Sequence, residues 1–539
     1  MGKKLTLILA PEEYALYKSN YIQARPLPLA LGVLQGALRA AGRRVSSFDM
    51  SPVLENDADP EGWKAVYDAD AVLHSLLNGG EGPLQMRIDA LLDTTDVADC
   101  DAAGVSWGAN NSIFEMHTGL LLAARIMARY GKRVAVGGSN TDHVMQFAWM
   151  YRPLIEAAVR MGVTLLVGPG DQSLPLFLEG AEAETLPGAV QWVKGQAVRS
   201  AVSAPSFVCP DFDGLRLEPY MTTFRRTGDP QQDHLEAMEQ LFHVTMVRSQ
   251  AISANNAKRI PLVQQKNLVL PFYFNSGCVF RCTFCVQSRT DWTPFCSMAP
   301  EDAVRNLKIL SEKYQTPYVR FFNNAFNLSM RFAREFCDIA KRENLEIYFS
   351  DCGRFNGLKQ EDAPRLYDAG CRKLVFGLDS ASPAVLRFID KQLDLAQVRA
   401  GLLYCRQAGI DTELEVIVGM PSEGWPEFQE SYDFIAYLVK DGLVSHLNVN
   451  RYFVLPFSRF GKHPESFGIA LDYLPDAYYK KAGRELEQFM AFLHPDGMDH
   501  VPMRIDPVRY YEPGGRSADE IAEDNLRKYR LMRALTPGV

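Results

Sequence analysis

The stretch from Leu268 to Ser288, LVLPFYFNSGCVFRCTFCVQS, sets Cys278, Cys282 and Cys285 in a Cys-x-x-x-Cys-x-x-Cys spacing. An apolar, β-rich run (Leu268 to Phe274) and a turn (Asn275, Ser276, Gly277) lead into it. Three thiolates on one short loop can grip a single metal centre, and soft sulfur selects an iron–sulfur cluster or zinc over hard cations. A structural zinc site asks for a fourth ligand. None follows closely: Cys296 comes eleven residues after Cys285, across a turn at Trp292 to Pro294, and the next histidine downstream is His446. A closed ferredoxin site also uses four cysteines. Three ligands on a four-iron cluster leave one iron open, which marks a catalytic rather than a structural centre.

Downstream of the loop, strands and amphipathic helices alternate. Helices are expected at Pro300 to Tyr314, Met330 to Glu343, Glu361 to Ala369, Leu395 to Ala408 and Glu427 to Asp441. Strands are expected at Tyr318 to Phe322, Glu346 to Ser350, Lys373 to Leu378, Thr412 to Val418 and His446 to Tyr452. With the strand before the cysteines this makes six parallel strands, a partial (β/α)6 TIM-type barrel whose active groups belong at the strands' carboxyl ends. Those ends carry Asn323 and Asn324, then Asp351 and Arg354, then Gly377-Leu378-Asp379-Ser380, then Gly419-Met420-Pro421, and last Arg451, Tyr452 and Arg459.

Upstream, Leu5 to about Gly180 also alternates. Strands are expected at Leu5 to Ala10, Arg44 to Phe48, Ala102 to Ser106, Arg133 to Val136 and Val163 to Val167, with helices at Pro28 to Ala41 and Ile113 to Tyr130. This order means a Rossmann-like, doubly wound parallel sheet, with ligands outside the carboxyl ends of its strands. The helix after Ser112 opens with a capping box, Ser112-x-x-Glu115, directly behind the strand end Ser106-Trp107-Gly108-Ala109-Asn110. Gly137, Gly138, Ser139, Gly168 and Gly170 close two other strands, where glycine permits close backbone approach.

The α/β chain thus divides into a Rossmann-like domain (1–185), a proline-punctuated linker with one helix (186–263), the partial barrel (264–460) and a small, mainly helical extension (461–539) that closes the substrate site. The extension is expected to hold helices around Ala477 to Leu493 and Ala518 to Ala534. Its 539 residues exceed one ordinary core. A net charge of −8 excludes a general nucleic-acid binder. Ten clustered cysteines point to metal in a reducing compartment rather than to disulfides. No apolar run is long enough for a membrane span, so a cytoplasmic monomer acting on a small molecule is expected.

The cysteine loop, with Phe284 before the third cysteine, resembles the signature of the radical S-adenosylmethionine (SAM) enzymes. In that family the open iron chelates SAM, and one electron from the cluster cleaves it to a 5′-deoxyadenosyl radical. The first half resembles the cobalamin-binding domain of the cobalamin-dependent members, on Pro26-Leu27-Pro28, Val136-Gly137-Gly138-Ser139 and Val167-Gly168-Pro169-Gly170-Asp171. Pro169 departs from the family's acidic residue there. No Asp-x-His-x-x-Gly string is present, which implies cobalamin without a histidine ligand.

The resemblance implies a methyltransferase with three cofactors: a 4Fe-4S cluster on Cys278, Cys282 and Cys285, SAM, and cobalamin. SAM would meet Asn323, Asn324, Arg354, Asp379, Ser380 and Gly419. Cobalamin would meet Trp107, Asn110, Gly137, Gly138, Ser139, Gly168 and Gly170. Substrate would meet Arg451, Tyr452 and Arg459, and these arginines with Lys462 and Arg504 hint at an anionic acceptor, carbon or phosphinate phosphorus. An electron donor of flavodoxin or ferredoxin type is implied as a partner, and no side chain is singled out as catalytic. Two alternatives stay open, a radical enzyme that rearranges, cyclises or oxidises without methylating, and a non-catalytic metal-binding protein.

Overall fold

The computed structural model describes residues 2–12, 15, 27–107, 113–138, 148–194, 196–224, 265–287, 295–455, 458–473 and 508–536. They fall in two compact units. The first is built on five parallel strands, β1 (Lys4–Leu9), β2 (Arg44–Asp49), β3 (Ala102–Ser106), β4 (Arg133–Gly137) and β5 (Thr164–Leu166), in the order β2-β1-β3-β4-β5. The order reverses beside β1, as a doubly wound sheet requires. Helices α1 (Leu29–Ala40), α2 (Ser51–Leu54), α3 (Ala69–Leu77), α4 (Gln85–Leu92), α5 (Ile113–Tyr130), α6 (Ala148–Arg160) and α7 (Ser173–Glu179) connect them. Leu5, Leu7, Leu31, Leu38, Leu174 and Phe177 join in the core between the sheet and α1 and α7. The excursion from α2 to α4 between β2 and β3 went unread in the sequence because its apolar spacing is short and broken by Asp and Gly.

The segment expected to begin a linker at residue 186 is instead part of this unit as far as Met221. Strands β6 (Val190–Val193) and β7 (Gln196–Arg199) form an antiparallel hairpin, and the chain then packs back on α1. Asp211 donates its N–H to the Gly32 carbonyl at 2.8 Å and its carboxylate pairs with Arg39 at 2.5 Å. A Cβ at Gly32 would lie 2.3 Å from the Phe212 ring, so the glycine permits this contact. The prolines that read as linker therefore punctuate an ordered strap. The helix expected at 234–249 lies outside the described residues.

In the second unit β8 (Thr222–Phe224) pairs antiparallel with β9 (Gln265–Asn267). The barrel sheet follows, as β10 (Leu270–Phe272), then beyond the short pair β11 (Asn275–Ser276) and β12 (Cys296–Ser297), β13 (Tyr318–Phe321), β14 (Tyr348–Gly353), β15 (Cys371–Asp379), β16 (Asp411–Val418) and β17 (His446–Arg451). Six of these, β10 and β13 to β17, lie in sequence order and pair in parallel. The crossovers are α8 (Pro300–Tyr314), α9 (Met330–Arg342), α10 (Asp362–Asp368), α11 (Pro383–Phe388), α12 (Leu395–Ala408) and α13 (Trp425–Lys440). Phe321 and Phe349 on the strands pack with Phe326 and with Phe336 of α9, which fixes the face turned to the helices. Caps define the helix starts: Ser329 accepts from Phe332 N–H and Asp394 from Ala396 N–H.

Beyond β17 lie the turn α14 (Arg459–Lys462), the antiparallel pair β18 (Ala470–Tyr473) and β19 (Val508–Tyr511), and α15 (Ala518–Arg533). Among the described residues the extension carries the helix expected at 518–534 and, beside it, a strand pair not read in the sequence; the helix expected at 477–493 lies outside them. The Ser517–Glu520 capping box opens α15 as expected. Lys528 of α15 is fully buried, donates to the Glu423 carbonyl at 2.8 Å, and pairs with Asp524 at 3.2 Å and with the Glu423 carboxylate at 3.6 Å. Burial pushes the Glu423 carboxyl up to about 7, with Lys528 holding it down.

Removing one partner from such a pair leaves a buried charge uncompensated. Lys528→Met is expected to destabilise the second unit by about 3–5 kcal/mol at pH 8. Without the ammonium the folded-state carboxyl rises further above its unfolded value, so the loss grows with pH and shrinks toward pH 5. Urea midpoints at the two pH values check this.

Candidate functional site

The cysteine loop leaves β10, turns at Gly277 (φ +73°) and is pinned by amides from the next strand end. Asn323, which follows β13, accepts N–H bonds from Phe274 (2.9 Å) and Asn275 (3.1 Å) and donates to the Asp351 carboxylate at 2.7 Å. Asn324 donates its side-chain amide to the Gly277 carbonyl at 2.6 Å and its backbone N–H to Asn275 Oδ1 at 3.2 Å. Asn275 in turn donates to the Ala325 carbonyl at 3.0 Å. Both asparagines are thus placed beside the loop as expected, but their amides hold its frame. Thr283 N–H, between the second and third cysteines, donates to the Ile389 carbonyl at 2.9 Å.

Cys282 is buried, while Cys278 and Cys285 are half-buried. Burial raises the Cys282 thiol, and burial with the neighbouring thiols raises Cys285 to about 11. The three sulfurs lie within electrostatic reach of one another, and thiols held this way ionise when a cationic centre compensates them. Among the described residues no three His, Cys, Asp or Glu side chains converge to hold a single metal ion. Three thiols on one loop are a donor set that suits a polynuclear centre taking one thiolate per iron.

Arg354, just past β14, lies over the Phe280 ring of the cysteine loop, 3.4 Å from its centroid. Asn327 clamps its backbone, accepting from its N–H and donating to its carbonyl, both at 2.7 Å. The guanidinium Nε and Nη2 are buried without a hydrogen-bond partner. A stacked, oriented guanidinium with two orphaned donors is built to take a carboxylate. Asp379 sits in the left-handed region (φ +62°), buried and ion-paired with Lys391. Ser380 hydrogen-bonds the Ser431 hydroxyl at 3.0 Å and accepts from Ser382 N–H at 3.1 Å, so it shapes the turn.

Gly419 (φ +84°) faces the C-terminal extension. Its carbonyl accepts from Tyr510 Oη at 2.7 Å, its N–H donates to Glu423 at 2.8 Å, and a Cβ there would lie 2.1 Å from Asn525. Tyr452 is buried against Tyr510 and Phe460. Arg451 lies 5.7 Å from the Tyr529 ring. Arg459 pairs with Asp390 at 3.1 Å and reaches the Arg281 carbonyl at 3.2 Å, tying α14 to the cysteine loop. Its charge is committed there, which weakens the hint of an anionic substrate; Arg504 lies outside the described residues. Sequence reading missed Phe280, Asn327, Lys391 and Tyr510, because their roles arise from contacts remote in the chain.

In the first unit Trp107 is buried and its N–H donates to the Gly137 carbonyl at 3.0 Å. A Cβ at Gly138 would lie 2.2 Å from the Trp107 carbonyl, and one at Gly168 would lie 2.3 Å from Val202. Gly170 faces Leu34. These glycines are explained first by the protein's own packing. Ligands of doubly wound sheets bind outside the carboxyl ends of the strands, and here those are the ends of β3, β4 and β5. Asn110 and Ser139 lie outside the described residues, as does Ser112 of the expected capping box. His74 bonds Asn78, and buried His117 is held through Nδ1 at 2.6 Å from the Val66 carbonyl, so neither histidine serves that edge.

Residues 272–435 match the Radical SAM superfamily model. A 178-residue stretch is 26% identical to an uncharacterized methyltransferase, PH0819, of Pyrococcus horikoshii, covering 32% of this chain and 39% of that protein. The chain therefore spans about two fifths of the length of that curated relative. Among solved structures, the radical SAM methyltransferase TsrM from Kitasatospora setae, with cobalamin and a [4Fe-4S] cluster bound, matches with a TM-score of 0.61 at 18% identity. That match covers 99% of this chain and 89% of TsrM. The cobalamin-dependent radical enzyme OxsB matches with a TM-score of 0.53 at 15% identity, over 83% and 53% of the two chains. The fold is similar to those of TsrM and OxsB.

Asp351, beneath this site, is buried and its carboxyl is pushed up to about 8. Its Oδ2 accepts from Asn323, whose own oxygen is already committed to two backbone N–H groups. Asp351→Asn sets one amide nitrogen against another. The expected cost is about 1–3 kcal/mol in urea unfolding, partly recovered by the double variant with Asn323→Asp.

Proposed function

We propose that the chain is a cobalamin-dependent radical SAM methyltransferase acting on a small molecule in a reducing cytoplasm. The observation that supports this most is the cysteine loop braced against the barrel's strand ends with the unpartnered Arg354 guanidinium stacked upon it. Bound at such a site, the cluster supplies one-electron reduction, SAM a scissile carbon–sulfur bond, and cobalamin a transferable methyl group. Cys278, Cys282 and Cys285 would hold the cluster, and Arg354 would hold the SAM carboxylate as a bidentate clamp. The ion pair with Lys391 orients Asp379 at the turn that would face the nucleoside. Asn323 and Asn324 brace the cysteine loop from the end of β13. Trp107, Gly137, Gly138 and Gly168 would floor the cobalamin. The barrel mouth and its extension would exclude water, and an external flavodoxin or ferredoxin would deliver the electron.

Anoxic reconstitution is expected to give a brown protein with about four irons per chain, reduced to background in Cys282→Ala. With reductant, SAM and the right acceptor, 5′-deoxyadenosine should accompany a product heavier by one methylene unit. Deoxyadenosine without that mass gain would replace methylation by a rearrangement or oxidation. A colourless, iron-free protein would remove the radical reading altogether.

Arg354→Lys keeps the charge but loses the fork and the stack. SAM affinity should fall by about tenfold or more, with iron content unchanged. Equilibrium dialysis against labelled SAM measures it.

A further inference from the structure

The cysteine loop has a second side, away from the strand ends that brace it. Arg354 stacks on Phe280 from the end of β14, whereas the next residue of the loop, Arg281, is exposed. Thr283, beside Cys282, is bonded through both of its backbone groups to segments outside the sheet. Its N–H donates to the Ile389 carbonyl at 2.9 Å, and its carbonyl accepts from the Phe460 N–H at 3.1 Å. Arg459 closes this layer, donating to the Arg281 carbonyl at 3.2 Å and pairing with Asp390 at 3.1 Å. Phe388, Phe460 and Phe467 pack together in it, with ring centroids 5.7, 5.8 and 4.6 Å apart. The loop, the end of α11 and α14 therefore share one continuous surface.

That surface is basic, on a chain whose net charge is −8. Over residues 279–287, 383–390 and 458–468 the cationic side chains are Arg281, Arg387, Arg459 and Lys462, and the carboxylates are Asp390 and Glu465. His463 lies 3.9 Å from Glu465. Arg281, Arg387 and Lys462 are exposed. Arg459 is committed to Asp390 and to the loop, but among the described residues the side chains of Arg281 and Arg387 make no ion pair or hydrogen bond. Exposed charges without partners contribute little to folding, so stability does not account for two arginines here. One of them adjoins Cys282 in the chain.

We propose that this surface, centred on Arg281 and Arg387, is where a small acidic one-electron carrier protein docks to reduce the centre held by the cysteines. The proposal deepens the methyltransferase reading, on which it rests for the identity of the loop as a cluster site. One electron leaves the carrier, and no bond forms or breaks. A carrier that must arrive, deliver and leave uses a small contact, under about 1,200 Å² in weak electron-transfer encounters, and charge supplies its speed and orientation. The chain as a whole repels an acidic protein, so a local positive surplus decides where such a partner lands. The backbone bonds of Thr283 and the three packed rings hold this landing place in fixed register with Cys282.

The test uses full-length protein reconstituted with iron and sulfide, without SAM, and two reductants. One is flavodoxin hydroquinone; the other is the methyl viologen radical cation, too small to need a docking surface. Bleaching of the brown colour is followed by anaerobic stopped flow. In a double variant, Arg281→Glu with Arg387→Glu, the flavodoxin rate is expected to fall by about tenfold or more, while viologen reduces it at least as fast as wild type. Oxidised flavodoxin, titrated by calorimetry, should bind the variant more weakly by a similar factor. Raising KCl from about 50 to 500 mM should slow the wild-type reaction with flavodoxin far more than that with viologen. Lys308→Glu with Lys313→Glu on α8, which packs on α9, makes the same charge change elsewhere and should leave the flavodoxin rate within about twofold of wild type. Equal flavodoxin rates or affinities in wild type and the arginine variant, an equal fall in the α8 variant, a flavodoxin rate indifferent to salt, or no reduction by flavodoxin at all overturns the proposal. So does a variant slowed with both reductants, which would assign the arginines to the potential of the centre. Should the arginine variant lose its iron, the salt series on the wild type still decides. A protein that takes up no iron fails the methyltransferase reading before any carrier is added, whereas iron-loaded protein that viologen reduces and the arginines do not affect fails this proposal alone.

Discussion

Everything at the barrel mouth depends on how three cysteines are held still on a loop. A loop of this length has no internal ladder to fix it, and the thiols are raised by burial, so the loop would gain little from its own residues. The fold supplies the constraint from outside. Asn323 collects two backbone N–H groups at the end of β10, Asn324 takes the Gly277 carbonyl, and Ile389 accepts from Thr283 between the last two cysteines. Arg354 presses on Phe280 from the next strand end. The restraints come from the carboxyl ends of β13, β14 and α11, so the loop is fixed only once these elements have assembled. The position of the cysteines is thus a property of the sheet rather than of the loop.

The same logic explains which parts were legible in the chain. Both parallel sheets could be read because buried strands of Val, Ile, Leu and Phe alternate with helices whose starts are marked by Ser329, Asp394 or Pro300. The cysteine spacing was legible because the three residues share one loop. Side-chain roles at the strand ends were legible only as positions. Asn323 and Asn324 stand where a cofactor contact was expected, and the Asn323 oxygen is taken up by two backbone N–H groups of the cysteine loop, a use no local pattern announces. The segment 186–221 read as a linker because prolines hide its pairing with Gly32 and Arg39, residues more than 170 positions away. No local pattern encodes such a contact. Lys391 and Tyr510 escaped for the same reason.

Two of the non-glycine residues with positive φ lie at strand ends beside the proposed site, with a glycine in the same region. Asp379, Gly419 and Ser422 all adopt positive φ, at +62°, +84° and +72°. For Asp379 the conformation costs on the order of 1–3 kcal/mol and persists because the surroundings over-determine it. The Lys391 ion pair fixes the side chain on one side, and the Ser380–Ser431 hydroxyl contact fixes the turn on the other. Gly419 is held by three partners, two of them, Tyr510 and Asn525, from the C-terminal extension. The extension is therefore part of the wall behind the strand end, not a detachable cap.

That arrangement bears on why the extension brings buried charge into the second unit. Lys528 could be replaced by an apolar residue at little cost if Glu423 were apolar as well. Glu423 is fixed by a different demand: its carboxylate receives the Gly419 N–H, a donor at a left-handed turn that no strand partner can satisfy. A carboxylate in that place needs a counter-charge, and burial alone pushes it toward protonation. Lys528 supplies the charge and at the same time donates to the Glu423 carbonyl. One orphaned backbone N–H at the barrel rim thus dictates an acid, the acid dictates a base, and the base anchors α15 against β16 and β17. The order of cause runs from the turn to the helix.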